Sequence, residues 1–277
     1  MPQIKPYVAH ATADEVLAGI DLYRKRMIVT GCHSDIGFEI MKSLAANGAR
    51  VIGLARTIEE ARAACAAAGR SCIPIGCDLT DLRSIDAAAS LIRRDSAPLD
   101  AVVTNSEIDS RPAPHAVFEY IGAFALLNRL CDLLRHNGGR IVMATAPSAL
   151  YAQSTLAVRL FVKEFARRLA ARGVAANAVD TGMAHSLFDP TRHTRRRRRW
   201  YSLTRLFGKS AAHGAATMAL LAASPQVAGI SGEFWIKGKI AESGSLLEDE
   251  MLARRLWETS EKMISEAERR IERADVA

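Results

Sequence analysis

The stretch from Met27 to Phe38 reads MIVTGCHSDIGF, a short apolar run followed by a glycine turn and the start of an amphipathic segment. The apolar run has the composition of a buried strand, and Gly31 and Gly37 bracket the turn. Glycine lets the backbone approach an anion closely, and the N-terminus of the following helix presents free N–H groups and the positive end of its dipole. The stretch therefore predicts a turn that holds a phosphate group.

Working outward from this turn, apolar runs and amphipathic segments alternate along the chain. Further strands are predicted at residues 51–54, 72–75, 99–103, 140–144, 174–179 and 232–236. Helices are predicted at residues 12–20, 58–68, 82–92, 115–134, 151–172 and 211–223, with a charged helix from about Leu246. Alternation of this kind implies parallel strands joined by right-handed crossovers. The predicted fold is α/β, a Rossmann-like doubly wound parallel sheet of about seven strands with helices on both faces.

Bulk composition narrows the class of protein. Apolar residues make up 49% of the 277 residues and charged residues 24%, which is ordinary for a globular protein. No apolar run approaches the ~18 residues that span a bilayer, and the first ten residues lack the apolar core of a signal peptide. The five cysteines form no C-x-x-C pair, which favours reduced thiols over a disulfide framework or a zinc site. We therefore expect a cytoplasmic protein without a bound metal.

No repeat or linker divides the chain, so a single domain over residues 1–277 is predicted. Within it, residues 1–24 form an N-terminal extension, residues 185–210 a basic segment that covers the substrate, and residues 245–277 a C-terminal helix.

Several short motifs occur in a familiar order. Beside the TG…IG turn, the chain carries Leu54-Ala55-Arg56, Asp78-Leu79, Tyr151-Ala152-Gln153-Ser154, LFVKEFARRL at 160–169 and RRLWETSE at 254–261. Together they resemble the short-chain dehydrogenase/reductase family, in its retinol-dehydrogenase-like branch. The resemblance implies hydride transfer between NAD(P) and a carbonyl or alcohol.

The same resemblance assigns catalytic positions, several of which are altered here. Tyr151 matches the family's proton-transferring tyrosine, but the lysine position four residues later is Thr155. Threonine carries no positive charge, so a tyrosine with an ordinary pKa of ~10 would remain a phenol at neutral pH. The family's serine position is Ala146, with Thr145 and Ser148 as the nearest hydroxyls, and its asparagine position is Glu119.

The cofactor positions are partly kept. The resemblance assigns the pyrophosphate to the turn and its helix, a 2′-phosphate to Arg56, and the adenine to a pair of residues after the third strand. The cofactor-binding residues implied in this way are Gly31, Ser34, Ile36, Gly37, Arg56, Asp78, Leu79 and Asn105. Arg56 favours NADP over NAD, because it is placed to meet the 2′-phosphate.

Two acidic residues replace glycines of the family pattern at this site. Asp35 stands in the turn and Glu107 follows the fourth strand. Two like charges ~5 Å apart at an effective dielectric of ~20 repel by roughly 3 kcal/mol, which is over a hundredfold in affinity. Alternatively, Asp35 caps the helix that starts near Ile36.

These substitutions lead to a specific functional hypothesis. We expect that hydride transfer is lost, that no cofactor is required, and that the protein binds an apolar or acidic small molecule. It would promote a cofactor-independent step, namely a cyclisation, isomerisation or elimination, with Tyr151 as proton donor and Glu107 or Glu119 as its partner. Each of the three could instead be inherited with the fold, solvated or paired with an arginine. The alternatives are an NADP-dependent oxidoreductase and a non-catalytic binding or scaffolding homologue.

Other partners are indicated by charge and by the long helices. The run Arg195 to Arg199, beside Trp200 and Tyr201, is suited to an anionic partner or a membrane surface, or is a solvated charge run. Nucleic acid ranks lowest, because one short run is a poor nucleic-acid footprint. The long helices beginning at His115 and Tyr151 match the family's dimer face, so a homo-oligomer is expected.

Overall fold

A mostly parallel β-sheet forms the centre of the protein. The computed structural model describes residues 11–105, 114–145, 152–181, 211–242 and 250–276. Its strands in these ranges are β1 Arg26–Thr30, β2 Arg50–Ala55, β3 Cys72–Gly76, β4 Ala101–Thr104, β5 Arg140–Thr145, β6 Ala175–Asp180, β7 Phe234–Ile236 and β8 Lys239–Ile240. Their spatial order is β3-β2-β1-β4-β5-β6-β7-β8, and only the last pair is antiparallel. The predicted doubly wound α/β fold is confirmed.

Helices connect the strands and cover both faces. They are α1 Ala13–Leu17, α2 Asp35–Ala46, α3 Ile58–Ala68, α4 Leu82–Arg93, α5 Pro114–Leu130, α6 Ala152–Leu169, α7 Ala211–Ala223 and α8 Glu250–Val276. Short 3₁₀ turns at Cys131–Leu133 and Ala170–Arg172 extend α5 and α6, which accounts for the longer helices expected from the sequence. The N-cap of α1 is Thr12, whose side chain accepts a hydrogen bond from the Glu15 N–H.

Side chains of each strand alternate between two apolar cores. Val29, Val51 and Val103 pack on the side of α1, α2, α3 and α7. Ile28, Ile52 and Val102 pack on the side of α4, α5, α6 and α8. Because β1 lies between β2 and β4, the strand order reverses at this point. The chain runs from β1 through β2 to β3 on one side, and continues from β4 to β8 on the other. A crevice at the carboxyl ends of these strands is where such sheets bind ligands.

The sheet has one more strand than the sequence indicated. After β7 the chain turns back through Lys237 and Gly238, both at positive φ (51° and 75°), and β8 pairs with β7 in antiparallel register. Positive φ at both central residues is the hallmark of a two-residue hairpin turn whose twist suits the strands. A two-residue strand carries too short a pattern to be recognised before folding.

The C-terminal helix packs across the outer faces of α5 and α6. Trp257 inserts between Phe124 and Phe165, with ring centroids 4.7 Å from each, and the Arg168 guanidinium lies 4.2 Å from its ring centroid. Farther along, Glu268 pairs with Arg129 of α5 at 2.7 Å. The helix therefore lies on the face that was expected to form a dimer, and the homo-oligomer stays a prediction.

Among the helices of the described ranges, none combines the length and apolar character needed to cross a bilayer.

A buried carboxylate holds the last turns of α6 together. The Glu164 side chain is 2% exposed and accepts hydrogen bonds from Arg167 at 2.6 and 2.8 Å and from Arg168 at 2.7 Å. The hydrogen bonds from Arg167 lower the pKa of Glu164, and those from Arg168 add to this, against the opposing effect of burial. Since Arg168 also covers Trp257, this carboxylate supports the α6–α8 contact.

Replacing Glu164 by glutamine should therefore destabilise the fold in a pH-dependent way. Because the folded-state pKa is lowered, the carboxylate stabilises the protein above the ordinary glutamate pKa of about 4.3 and loses this effect as the pH falls further. We expect Glu164→Gln to lower the free energy of unfolding by about 1–3 kcal/mol at pH 7, and the gap to close below pH 4. Urea unfolding at pH 7 and pH 3.5 measures both values.

The control is Glu250→Gln, because Glu250 also pairs with an arginine four residues on but its side chain is 76% exposed. Exposed pairs contribute little to stability, so this variant should unfold like the wild type. Equal stability of the two variants at pH 7 would contradict the role given to Glu164.

Candidate functional site

The β1–α2 turn leaves no room for side chains at its glycines. Gly31 has φ +60°, and a β-carbon there would lie 2.6 Å from the Asn105 carbonyl oxygen. A β-carbon on Gly37 would overlap the Gly31 carbonyl oxygen. Bare backbone therefore lines the turn, which is the condition for close approach of a phosphate group.

A polar network ties this turn to the end of β4. The Asn105 side-chain amide donates to the Ser34 hydroxyl oxygen at 2.9 Å, and the Ser34 hydroxyl donates to the Gly31 carbonyl at 2.8 Å. The Asn105 N–H donates to the Thr30 hydroxyl oxygen at 3.0 Å. The structure thus brings together four of the residues predicted to hold a cofactor: Gly31, Ser34, Gly37 and Asn105.

The cap of α2 is Ser34, whose hydroxyl oxygen accepts a hydrogen bond from the Gly37 N–H at 3.1 Å. The alternative that Asp35 caps this helix is therefore wrong, because Asp35 is its first helical residue. An acidic side chain in the first turn stabilises the helix dipole. Asp35 is exposed, so water and salt screen its charge. Ile36 is buried and packs into the core beneath the turn.

Arg56, the residue predicted to bind the 2′-phosphate, lies between β2 and α3. It follows β2 directly and precedes Thr57, the N-cap of α3, whose side chain accepts a hydrogen bond from the Glu60 N–H. The His33 Nε2 atom of the glycine turn lies 3.9 Å from a Glu60 carboxylate oxygen, so the turn and the start of α3 are neighbours. A guanidinium next to a helix N-terminus is a favourable environment for a phosphate.

The residues after β3 form a tight turn at the same edge of the sheet. One Asp78 carboxylate oxygen accepts hydrogen bonds from the Thr80 N–H at 2.9 Å and from the Thr80 hydroxyl at 2.7 Å. A β-carbon on Gly122 would overlap the Leu79 carbonyl oxygen, so α5 packs directly on the Leu79 backbone. This contact fixes Asp78 and Leu79 beside the crevice.

Most of the predicted catalytic residues lie outside the part of the chain that the structure describes. Tyr151 and Glu107 lie outside the described residues, and so does the run Arg195–Arg199. Glu119 is on α5, but its side chain is outside the described part.

Three buried polar residues are described on α6 and at the carboxyl ends of β5 and β6. Thr155 of α6, at the family's lysine position, is buried, and so are Thr145 and Asp180 at the ends of β5 and β6. Thr145 and Asp180 are register partners in the sheet, and the Thr145 hydroxyl donates to the Val179 carbonyl at 3.4 Å. Both follow the alternation of the α6 side of the sheet, as Met143 and Ala178 do.

Asp180 was not identified from the sequence. The available signal was its position, since a carboxylate at the carboxyl end of a parallel strand lies at the ligand-binding edge.

Comparison with known proteins identifies the family. The sequence model of the family described as short chain dehydrogenase matches residues 25–197. A WW domain-containing oxidoreductase of Danio rerio is 30% identical, over 95% of this chain and 74% of that protein. Human retinol dehydrogenase 13 is 28% identical, over 87% of this chain and 84% of its own length.

Solved structures agree on the fold. A protein from Mycobacterium paratuberculosis is 23% identical and superposes with a TM-score of 0.69, covering 91% of this chain and 96% of that chain. A dehydrogenase/reductase from Sinorhizobium meliloti is 22% identical with a TM-score of 0.64, covering 80% and 96%.

These findings correct the functional hypothesis. The expectation that hydride transfer is lost, and that the protein promotes a cofactor-independent cyclisation, isomerisation or elimination, is wrong, because the family and the relatives are dehydrogenases and oxidoreductases. The expectation that no cofactor is required is wrong for the same reason, since such relatives imply use of NAD(P). With the glycine turn, the strand order and the matched residues in agreement, this chain belongs to the short-chain dehydrogenase family, in its retinol-dehydrogenase-like branch.

Proposed function

We propose that this protein is an NADP(H)-dependent oxidoreductase that interconverts an alcohol and a carbonyl compound. The observation that carries the proposal is the glycine turn, where β-carbons on Gly31 and Gly37 would meet carbonyl oxygens and where Asn105 and Ser34 fix the backbone. A turn built so tightly around bare backbone is suited to a dinucleotide.

The described residues fit the cofactor in three places. Gly31, Gly37 and the N-terminus of α2 would hold the pyrophosphate, Arg56 the 2′-phosphate, and the Asp78–Leu79 turn the adenine. When bound, NADP(H) supplies the hydride that is exchanged with the substrate carbon. The preference for NADP over NAD rests on Arg56, whose charge complements the additional phosphate.

Tyr151 is proposed to move the proton. In the reducing direction its hydroxyl donates a proton to the substrate oxygen, and in the oxidising direction it accepts that proton. Thr155, which replaces the family's lysine, brings a hydroxyl but no charge to the same helix. Thr145 and Asp180 supply the other polar groups that the described structure offers at this corner.

The substrate class is proposed to be an apolar alcohol or carbonyl compound. The support is the naming of relatives as retinol dehydrogenases, since retinol is an apolar alcohol. Arg195–Arg199 remains a proposed contact for an anionic partner or a membrane surface.

Gly31→Ala should weaken cofactor binding. The added β-carbon would press on the Asn105 carbonyl and push the turn away from the pyrophosphate position. We expect NADPH affinity measured by calorimetry to fall at least tenfold. The control is Gly229→Ala, because Gly229 also has positive φ (+82°) but nothing lies within 4 Å of its β-carbon position. That variant should bear only the backbone strain, about 1 kcal/mol of stability, and bind NADPH normally. Unchanged binding in Gly31→Ala would rule out the turn as the cofactor site.

Arg56→Ala should weaken NADPH binding and leave NADH binding unchanged. One charge-assisted pair with the 2′-phosphate contributes about 1.5–3 kcal/mol, which corresponds to roughly ten- to a hundredfold in affinity. The matched control is Arg62→Ala, since Arg62 is an exposed arginine on the adjacent helix α3. A parallel loss for both nucleotides would show that Arg56 acts on the fold rather than on the 2′-phosphate.

Thr155→Lys should restore the family's charge next to the catalytic tyrosine. An ammonium group favours the phenolate, so the pH profile of NADP-dependent oxidation should move to lower pH, with a higher rate at pH 7. Steady-state rates from pH 6 to pH 10 on a panel of apolar alcohols measure this shift, and Tyr151→Phe should lose turnover in both backgrounds. Turnover of Tyr151→Phe at the parental rate would remove Tyr151 from the mechanism.

Cofactor binding without turnover on any alcohol or carbonyl would favour a binding homologue over an enzyme.

A further inference from the structure

Three cysteines and a methionine meet between the glycine turn and helix α3. The sulfur atoms of Cys65 and Met41 lie 2.8 Å, and that of Cys32 3.1 Å, from the point where a β-carbon on Gly53 would be. The Cys65 Sγ is 3.9 Å from the Met41 Sδ. Glycine in the middle of β2 therefore makes the space in which the sulfur atoms converge, and the thiols of Cys32 and Cys65 approach across it.

Cys72 extends this group toward the surface. Its side chain packs in the same apolar core as those of Cys32 and Cys65. Exposure increases along the row, from 0% at Cys32 to 3% at Cys65 and 9% at Cys72. The neighbouring thiols of Cys32 and Cys72 lower the pKa of the Cys65 thiol, and the proximity of Cys65 together with burial raises the pKa of the two outer thiols. Cys65 is the middle thiol of this row and the one whose pKa is lowered, and the thiolate is the reactive form of cysteine.

A metal ion is not the natural occupant of this group. Within the described residues, no set of three or more His, Cys, Asp and Glu side chains has an arrangement that could hold one. Closely placed thiols are, however, suited to oxidation to a disulfide.

The position of Cys32 connects this chemistry to the proposed cofactor site. Cys32 follows Gly31 in the turn, and its N–H donates to the Leu54 carbonyl at 3.0 Å. Its backbone is thus part of the turn, while its side chain belongs to the sulfur cluster. A change at the sulfur is transmitted to the turn through a single residue.

We propose that Cys32 and Cys65 form a reversible disulfide under peroxide and that this bond displaces the glycine turn. In the first step the Cys65 sulfur attacks one peroxide oxygen, the O–O bond breaks, and Cys65 sulfenic acid and water are formed. In the second step the Cys32 sulfur attacks the sulfenic sulfur, the S–S bond forms, and a second water leaves with the thiol proton. Two thiols are oxidised by two electrons and one peroxide is reduced to two waters. A small thiol reductant reverses the reaction by exchange.

The bond should move the turn because covalent S–S distances are about 2.05 Å, much shorter than any contact between separate thiols. Closing that gap draws Cys32 toward α3 and its backbone away from the place where the pyrophosphate would lie. Loss of one charge-assisted hydrogen bond to a phosphate corresponds to about tenfold in affinity. This consequence rests on the proposed cofactor-binding function, whereas formation of the disulfide does not.

The test treats the reduced full-length protein with hydrogen peroxide and maps its disulfides by mass spectrometry of peptides. Amide hydrogen exchange of residues 31–37 reports the turn without any cofactor, and calorimetry reports NADPH affinity. We expect a Cys32–Cys65 link, faster exchange in the turn and about tenfold weaker NADPH binding, all reversed by dithiothreitol. Cys72→Ser should still form the link, and Cys65→Ser should not. The control is Cys131→Ser. The Cys131 thiol lies away from the other cysteines and donates a hydrogen bond to the Asn128 carbonyl at 3.4 Å, so this variant should not affect the outcome.

Each other result has a defined meaning. A link between Cys65 and Cys72 alone, oxidation to sulfinic acid without a link, or a Cys32–Cys65 link with unchanged exchange in the turn would overturn the proposal. If the reduced protein fails to bind NADPH, the proposed function fails, and the peptide map and the exchange data still decide this proposal.

Discussion

The close approach of the β1–α2 turn to the end of β4 is the contact on which the site depends. The chain reaches it only because positions 31 and 37 carry no side chain, and because Asn105 supplies both a carbonyl against Gly31 and an amide donor to Ser34. The constraint is steric first and polar second. A methyl group at position 31 would push the end of β1 away from the end of β4. The hydrogen bonds of Asn105 to Thr30 and Ser34 could then not form.

The sheet places this contact where a ligand can use it. Its two apolar faces are covered by different sets of helices, so the turn opens at the edge between β2 and β4 rather than onto a core. Helix α8 closes the far side of the molecule, through Trp257 and the Arg129–Glu268 pair. Helix α8 therefore packs on the helices that carry the proposed catalytic positions.

Electrostatic arguments from the sequence proved less reliable than steric ones. A carboxylate at position 35 argued against a pyrophosphate, yet the chain belongs to a family of dehydrogenases, and this side chain is exposed in the first turn of α2. The energy of two charges depends on distance, direction and local dielectric, none of which a sequence position specifies. The glycines carried a firmer signal, because their requirement for space and for positive φ is local.

The sequence by itself determined the α/β alternation, the parallel sheet, the glycine turn and the family, since strand and helix periodicity and turn chemistry are local properties of the chain. It also predicted Gly31, Ser34, Gly37 and Asn105 as cofactor-binding residues, although not the hydrogen bond between Asn105 and Ser34. Only the tertiary structure decided which side chains face the crevice, how the hairpin adds β8, and that Cys32, Cys65 and Cys72 converge. The physical reason is that these contacts join residues from different strands and helices, and their directions follow from packing rather than from spacing along the chain.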